Sequence, residues 1–501
     1  MALNAGLILN SLNESQKKAV TADDGPLLIV AGPGTGKTLT IVRRIAWLLH
    51  HGARPEDILA VTFTNRAARE MHERTEALLG NAAKRVFIGT LHLFGLRMMQ
   101  EALGTGFTVY SREEQAGLLK TLLSCSAKKA GEAAERISRI KNSGEEGGEE
   151  VRALLPSYQA ALKEKNAVDF DDLILTPIEI LANNSFAFKC SFTHILIDEY
   201  QDVSPAQYAL LRLLAQNGAR LCAIGDSDQA IYGFRGADAG AFLRFGDDFR
   251  NAASITLAQN YRSTETVVSA SNAVIRNNRL RIEKEIASSR EGGGPVGVIS
   301  VADERAEGEW IVREIEARIG GTSHDQMRKA GKLKDATEGT FTFSDFAVII
   351  RTNAQAKAIE EAFIGSGIPY KVIGRKSSLQ SAALEETIAF LRSLALPDDA
   401  ASGPVVGNEA KLLAPADYFD PRANAVTLTT MHTSKGLEFR VVFIAGCEDG
   451  LIPCTIMKDA LDIEEERRLF YVGMTRAKDE LILLHARSRF LYGQRLAPPP
   501  S

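Results

Sequence analysis

The most reactive-looking stretch of the sequence lies near its start, where Ala31-Gly32-Pro33-Gly34-Thr35-Gly36-Lys37-Thr38 follows a short apolar run. Glycines at this spacing let backbone N–H groups wrap an anion, Lys37 adds a positive charge, and the Thr38 hydroxyl can ligate magnesium. This is a phosphate-binding loop, with Ala31 where a first glycine is usual. Further along, Ile195-Leu196-Ile197 ends in Asp198-Glu199, two carboxylates at the end of an apolar run. In phosphoryl transfer one such carboxylate holds the metal, and its neighbour orients and deprotonates the attacking water. A lone acidic pair after a strand is usually a solvated turn; the upstream loop reverses those odds. Together the two elements predict a nucleotide hydrolase that uses Mg2+, with Thr38 and Asp198 as metal ligands. Many unrelated proteins share this much, so the pair alone does not say which hydrolase.

These groups need a scaffold that brings strand ends together. Leu27 to Ala31, Ile58 to Thr62, Val86 to Ile88, Ile195 to Ile197 and Leu221 to Ile224 are short apolar runs ending at polar or glycine residues, which predicts parallel strands of one α/β sheet. Between them, about Leu93 to Asn166 is rich in Ala, Glu, Lys and Leu with helical spacing, which predicts a helical insertion. Val296 to Val301, Phe346 to Ile350, Ala425 to Thr429, Val441 to Ile444 and Glu480 to Leu484 predict a second α/β lobe. Ser288 to Gly297 and Gly320 to Thr342 read as surface loops, and Pro397 to Pro421 as a connection.

Composition sets the outer bounds. A chain of 501 residues exceeds one ordinary core and predicts about three units. With 45% hydrophobic and 24% charged residues and no apolar run of membrane-spanning length, a soluble protein is expected, with no membrane partner. Met1 to Asn13 lacks the charged start of a secretory signal, which points to a cytoplasmic location. Five scattered cysteines without a C-x-x-C pair indicate neither a disulfide framework nor a zinc site. A formal charge of −4 is awkward for a nucleic-acid protein, so any DNA channel must come from local rather than total charge.

The remaining motifs narrow the class. Leu12-Asn13-Glu14-Ser15-Gln16 precedes the phosphate loop; Thr62-Phe63-Thr64-Asn65-Arg66-Ala67-Ala68, Gly89-Thr90-Leu91-His92 and Asp169-Phe170-Asp171-Asp172-Leu173 follow it. Gln201-Asp202 extends the acidic pair, and Gly225-Asp226-Ser227-Asp228-Gln229-Ala230-Ile231-Tyr232-Gly233-Phe234-Arg235-Gly236 comes next. Then come Gln259-Asn260-Tyr261-Arg262-Ser263-Thr264, Arg351-Thr352-Asn353-Ala354-Gln355, Thr430-Met431-His432-Thr433-Ser434-Lys435-Gly436-Leu437-Glu438-Phe439 and Tyr471-Val472-Gly473-Met474-Thr475-Arg476-Ala477-Lys478. In this order the series resembles the UvrD/Rep/PcrA group of superfamily-1 helicases, from Gln16 to Lys478.

The resemblance implies two RecA-like P-loop NTPase lobes in an α/β fold: residues 1-92 and 166-254 form the first lobe, 93-165 its helical insertion, and 255-397 with 424-501 the second lobe. It assigns catalysis to Lys37, Thr38, Asp198, Glu199, Gln229, Arg262 and Arg476, with Gln229 sensing the γ-phosphate and Arg476 as arginine finger. Nucleotide binding falls to Gln16, Gly32, Pro33, Gly34, Thr35, Gly36, Tyr261, Arg262 and Glu438, with Gln16 reading adenine, Tyr261 stacking on it and Glu438 facing the ribose. DNA contacts fall to Phe63, Asn65, Thr90, His92, Phe170, Tyr232, Phe234, Arg235, Arg351, Asn353 and His432. The implied function is ATP-driven 3′ to 5′ translocation on single-stranded DNA and unwinding at single/double-strand junctions, in repair, replication or recombination. Three departures stand out: Leu39 where Arg is frequent, Phe234 where Trp is frequent, and a linker at 398-423 where the family inserts a large accessory domain. That last departure makes strand separation less secure than translocation, so the nearest rival is a translocase that needs a protein partner to load or activate it. A DNA-binding scaffold regulated by ATP and the motor subunit of a helicase–nuclease are separate alternatives.

Overall fold

The computed structural model describes residues 4–320 except 24, 145–148, 184–191 and 217, and residues 341–500 except 374–411, 413–416, 418, 421, 456–461, 492 and 498. The loop expected from Gly320 to Thr342 and the linker at 398-423 therefore lie almost wholly outside the described residues. The chain forms two compact units. One comprises Met1–Ala31, Gly36–Leu257 and Ala382–Asp417; the other comprises Gly32–Thr35, Ala258–Ser381 and Tyr418–Ser501. The break falls at Leu257, a few residues after the expected 254.

In the first unit, β1 (Leu27–Ala31), β2 (Ile58–Thr62) and β3 (Phe87–Thr90) are followed by a two-residue pair, β4 (Thr108–Val109) and β5 (Ala167–Val168). Then come β6 (His194–Ile197), β7 (Arg220–Gly225) and β8 (Ala253–Leu257). The main sheet has the order β3-β2-β6-β7-β1-β8, with every pairing parallel. Its strands β1, β2 and β6 are buried at every position and β7 at all but Arg220, as apolar runs require when helices cover both faces. The sequence reading lacks β8, an edge strand whose exposed Ala253 and Ser254 dilute the apolar signal. Ile29, Ile45, Ile58, Ile88 and Ile224 meet in the core. Truncating a fully buried residue such as Ile29 to Ala would cost about 2–5 kcal/mol.

The helices of this unit are α1 (Ala5–Leu9), α2 (Glu14–Thr21), α3 (Lys37–His50), α4 (Asn65–Leu79), α5 (Leu91–Leu103), α6 (Arg112–Leu123), α7 (Ala127–Ser143), α8 (Glu149–Glu164), α9 (Asp172–Ala182) and, farther on, Pro205–Gln216 and the short Ala239–Leu243 and Phe245–Asp248. The insertion has its own small core, in which Leu119, Ile137, Tyr158 and Leu162 are buried. It begins later than residue 93. Helix α5 is part of the lobe, with Leu93, Phe94, Leu96, Met98 and Met99 buried, and the parallel β4–β5 pairing brackets the inserted helices.

In the second unit, β9 (Gln259–Thr264) and β10 (Ala287–Arg290) pair separately. The main sheet holds β11 (Gly297–Val301), β12 (Phe346–Ile350), β13 (Tyr370–Val372), β14 (Val426–Thr430), β15 (Phe439–Ala445) and β16 (Ala477–Ala486). Its order is β11-β16-β15-β12-β14-β13, again all parallel. The three-residue β13 is too short to announce itself by pattern. Phe346, Val348, Phe363, Leu428 and Phe443 centre this core.

Candidate active site

A parallel sheet gathers the C-terminal ends of its strands on one edge, and loops leaving that edge are where ligands are held. β1 runs there into the glycine-rich loop and then α3. Gly36, at φ 86° and ψ 34°, lies in left-handed backbone where glycine carries no steric penalty, and it caps α3 without a side-chain hydrogen bond. The first-turn N–H groups of this 14-residue helix are therefore not taken by a capping side chain, which suits an anion. Thr35 Oγ1 donates to Gly32 O at 2.8 Å, and Lys37 Nζ donates to Ala31 O at 3.3 Å. Thr38 is half-buried at the start of α3. Gln16 lies beside the loop: a Cβ added to Gly36 would sit 2.7 Å from Gln16 Nε2. Its Oε1 accepts from Asn13 N–H at 3.0 Å while Asn13 Oδ1 accepts from Gln16 N–H at 2.8 Å, a reciprocal cap of α2. The carbonyl half of the amide thus serves the helix, and the nitrogen faces the loop.

β6 ends at the acidic pair. Asp198 N–H donates to Val61 O at 2.8 Å, and Asp198 Oδ1 accepts from Glu199 N–H at 3.0 Å. Glu199 has φ 54° and ψ 42°, left-handed backbone that costs a non-glycine residue about 1–3 kcal/mol. A buried hydrogen-bonded chain starts from it. Gln201 Nε2 donates to Glu199 Oε2, Gln201 Oε1 accepts from Asp226 N–H at 3.0 Å, and Asp226 Oδ2 accepts from Gln229 Nε2 at 2.7 Å. The carboxylate expected to activate water and the amide expected to sense phosphate are therefore joined through the Gln201 side chain and the backbone N–H and carboxylate of Asp226.

The loop that carries Gln229 continues to aromatic residues. Tyr232 stacks on Phe63 with ring centroids 4.6 Å apart at 24°, and Phe234 is 48% exposed. The Arg235 guanidinium lies 5.3 Å from the Tyr232 centroid and 5.4 Å from that of Phe234, within cation–π range. A second pair, His92 on Phe170, stacks at 4.0 Å and 28°. Thr90 caps α5 by accepting from Leu93 N–H at 3.2 Å, and desolvation pushes the His92 imidazole down to about 4, so its ring is neutral near pH 7. Asn65 is placed differently from an open DNA contact. It is 2% exposed, its amide donates to Leu412 O at 2.9 Å and to Asp417 Oδ2 at 3.1 Å, and Asp417 Oδ1 accepts from Arg66 N–H at 2.9 Å.

In the second unit, Arg262 Nε donates to Glu438 Oε2 at 2.8 Å, and Lys478 Nζ lies 2.6 Å from Glu438 Oε1. Desolvation would raise the Glu438 carboxyl, but the two cations outweigh it and hold the group at about 2. Tyr261 is 44% exposed, and its hydroxyl donates to Gln259 Oε1 at 2.8 Å. Arg476 is 2% exposed and donates to Val472 O at 2.8 Å, Leu437 O at 3.1 Å and Thr475 Oγ1 at 3.1 Å. As an arginine finger it would have to leave these partners. Arg351 forms a two-pronged pair with buried Glu466, at 3.0 and 2.6 Å, whereas Asn353 is exposed and His432 half-buried.

Comparison with known proteins settles the class. The model of the UvrD/REP helicase N-terminal domain matches residues 12–250, and that of the UvrD-like helicase C-terminal domain matches 255–420 and 408–488. The chain belongs to the UvrD/REP helicase family. Its two units are accordingly two RecA-like lobes. It is 29% identical to the ATP-dependent DNA helicase PcrA of Staphylococcus aureus (strain Mu50 / ATCC 700699), covering 99% of this chain and 86% of that protein. The PcrA proteins of Leuconostoc citreum (30% identity, 99% and 84% coverage) and Bacillus subtilis strain 168 (29%, 99% and 85%) are similar in the same way. The alignment to the S. aureus protein runs over 643 positions against 501 residues here, so at least 142 positions have no counterpart in this chain.

For a helicase of this family, two groups went unassigned in the sequence reading. Gln201 was read only as part of a pattern, although its double hydrogen bond makes it the link between Glu199 and Asp226. Lys141, on α7, donates to Asp169 Oδ2 at 2.6 Å and Asp172 Oδ1 at 2.8 Å. Nothing local marks it among the lysines of the insertion; only the partner 28 residues away would.

Proposed function

We propose that this protein is an ATP-dependent DNA helicase that moves 3′ to 5′ along single-stranded DNA. The names of its relatives support ATP use and DNA as the track. The observation that carries the mechanism is the chain Glu199–Gln201–Asp226–Gln229, because the loop it ends in also carries Tyr232 and Phe234. The α3 N-terminus and Lys37 bind the phosphates, and Glu199 takes the proton of the attacking water. The oxygen donors of Thr38 and Asp198 suit magnesium, which when bound neutralises phosphate charge. Arg262 and Arg476 supply positive charge to the transition state. Loss of the γ-phosphate is felt at Gln229, and the shift passes through Asp226 to the aromatic loop, altering the hold on stacked bases. Stacking on Phe234, Tyr232 and the His92–Phe170 pair makes this hold tolerant of sequence.

The direct test is ATP turnover titrated with oligo(dT), beside release of streptavidin from oligonucleotides biotinylated at either end. Turnover that rises with DNA, with release from the 5′ end only, supports 3′ to 5′ travel. DNA-independent turnover, or release from the 3′ end, overturns it. A second reading, a translocase that separates strands only with a partner, is favoured by the 142 or more positions missing relative to the S. aureus protein.

A further inference from the structure

The turn at 169–172 carries three carboxylates around one aromatic ring. Asp169, Asp171 and Asp172 are all buried, and Phe170 between them reaches His92. Asp169 N–H donates to Asp172 Oδ2 at 3.0 Å and Asp172 N–H to Asp169 Oδ1 at 2.9 Å, which locks the turn on itself. This lock forces two carboxylates together away from water, an arrangement that is strongly unfavourable unless a cation lies between them. Lys141 supplies it, bonded to both at 2.6 and 2.8 Å. From α8, Tyr158 Oη donates to Asp169 Oδ2 and Gln159 Nε2 to Asp172 Oδ1, both at 3.1 Å. One turn of α7 holds Asp171: Ser138 Oγ donates to Asp171 Oδ1 at 3.0 Å and Asn142 Nδ2 to the same oxygen at 2.7 Å. Asn142 Oδ1 in turn accepts from Ser204 Oγ at 3.4 Å, just beyond the acidic-pair segment.

We infer that Lys141, with Asn142 beside it, is a positioning residue for DNA grip: α7 clamps the 169–172 turn so that Phe170 lies flat on His92 and the pair presents one face to a DNA base. The inserted helices thereby act on the track through a side chain of the lobe itself. This rests on the proposed reading of the His92–Phe170 pair as a DNA contact.

The experiment measures the oligo(dT) concentration that half-saturates ATP turnover, together with saturated kcat, KM for ATP and melting temperature, for Lys141→Met, Lys141→Arg, Asn142→Ala, Phe170→Ala and Phe170→Ala/Asn142→Ala. Loss of an oriented stacking contact is expected to raise the half-saturating concentration roughly tenfold in Lys141→Met and a few-fold in Asn142→Ala, with kcat and KM for ATP within about twofold. Lys141→Arg should recover part of the loss. Asn142→Ala should add nothing on the Phe170→Ala background, since a clamp acting through the ring has nothing left to position. If Lys141→Met does not fold, Asn142→Ala decides, because it leaves both ion pairs in place. Unchanged DNA dependence in Asn142→Ala and in any folded Lys141→Met, while Phe170→Ala is weakened, overturns the clamp. Unchanged DNA dependence in Phe170→Ala itself removes the DNA reading of the pair, a separate failure.

Discussion

At the residue scale, chemistry and binding are separable. In the proposed mechanism Glu199 acts on water and not on holding ATP, so Glu199→Gln is expected to lower DNA-stimulated turnover by about 10²-fold or more with little change in ATP affinity. Steady-state kinetics beside nucleotide binding checks this; an equal loss of both would make Glu199 a binding residue. Glu438 makes a pH prediction. Its folded value of about 2 lies below its ordinary 4.5, so its contribution to stability is present above about 4.5 and is lost as pH falls towards 2. The melting temperatures of the native protein and Glu438→Gln should therefore differ near neutrality and converge on acidification through that window. A gap that persists at pH 2.5 would show that the ion pairs with Arg262 and Lys478 do not set the difference. Legibility was uneven at this scale. Lys37, Thr38, Asp198 and Glu199 announce themselves because their chemistry is packed into contiguous segments. The burial of Asn65 against Asp417, 352 residues later in the chain, and of Arg476 against the backbone carbonyl of Leu437 depends on tertiary packing that no local pattern encodes.

At the scale of elements, the groups proposed to face DNA depend on how closely two helices approach. Helix α5 crosses α9 at Gly95, where an added Cβ would fall 1.7 Å from Leu173 O, a distance no side chain tolerates. Alanine favours a helix over glycine by about 1 kcal/mol, but a clash with backbone costs more, so Gly95→Ala is expected to destabilise by roughly 1–3 kcal/mol or more. Because His92 opens α5 and Phe170 precedes α9, the same change should weaken DNA binding while leaving KM for ATP unchanged. Thermal melting and DNA titration together check both halves; a variant as stable as the parent would mean the helices separate freely. Most strands were legible, since buried parallel strands read as unbroken apolar runs. The edge strand β8, the short β13 and the polar β9–β10 pair were not, because exposure, brevity and polar composition remove that signal; β10 occupies the start of the Ser288 to Gly297 stretch expected as a loop.

At the scale of the molecule, the order of motifs along the chain told the architecture, and the all-parallel topology of both sheets agrees with it. The shortfall against the relatives is the feature with most consequence for activity. A motor without those positions still has the loop proposed to join hydrolysis to base stacking, so it is expected to work as a compact unit. The measurement that tests this most directly is ATP-dependent displacement of a labelled strand from duplexes with a 3′ or a 5′ single-stranded tail, with ATP consumption followed in the same tube. Displacement from the 3′-tailed duplex alone is expected, accompanied by hydrolysis and abolished in Lys37→Ala. Displacement from the 5′-tailed duplex, or displacement that survives Lys37→Ala, would contradict it.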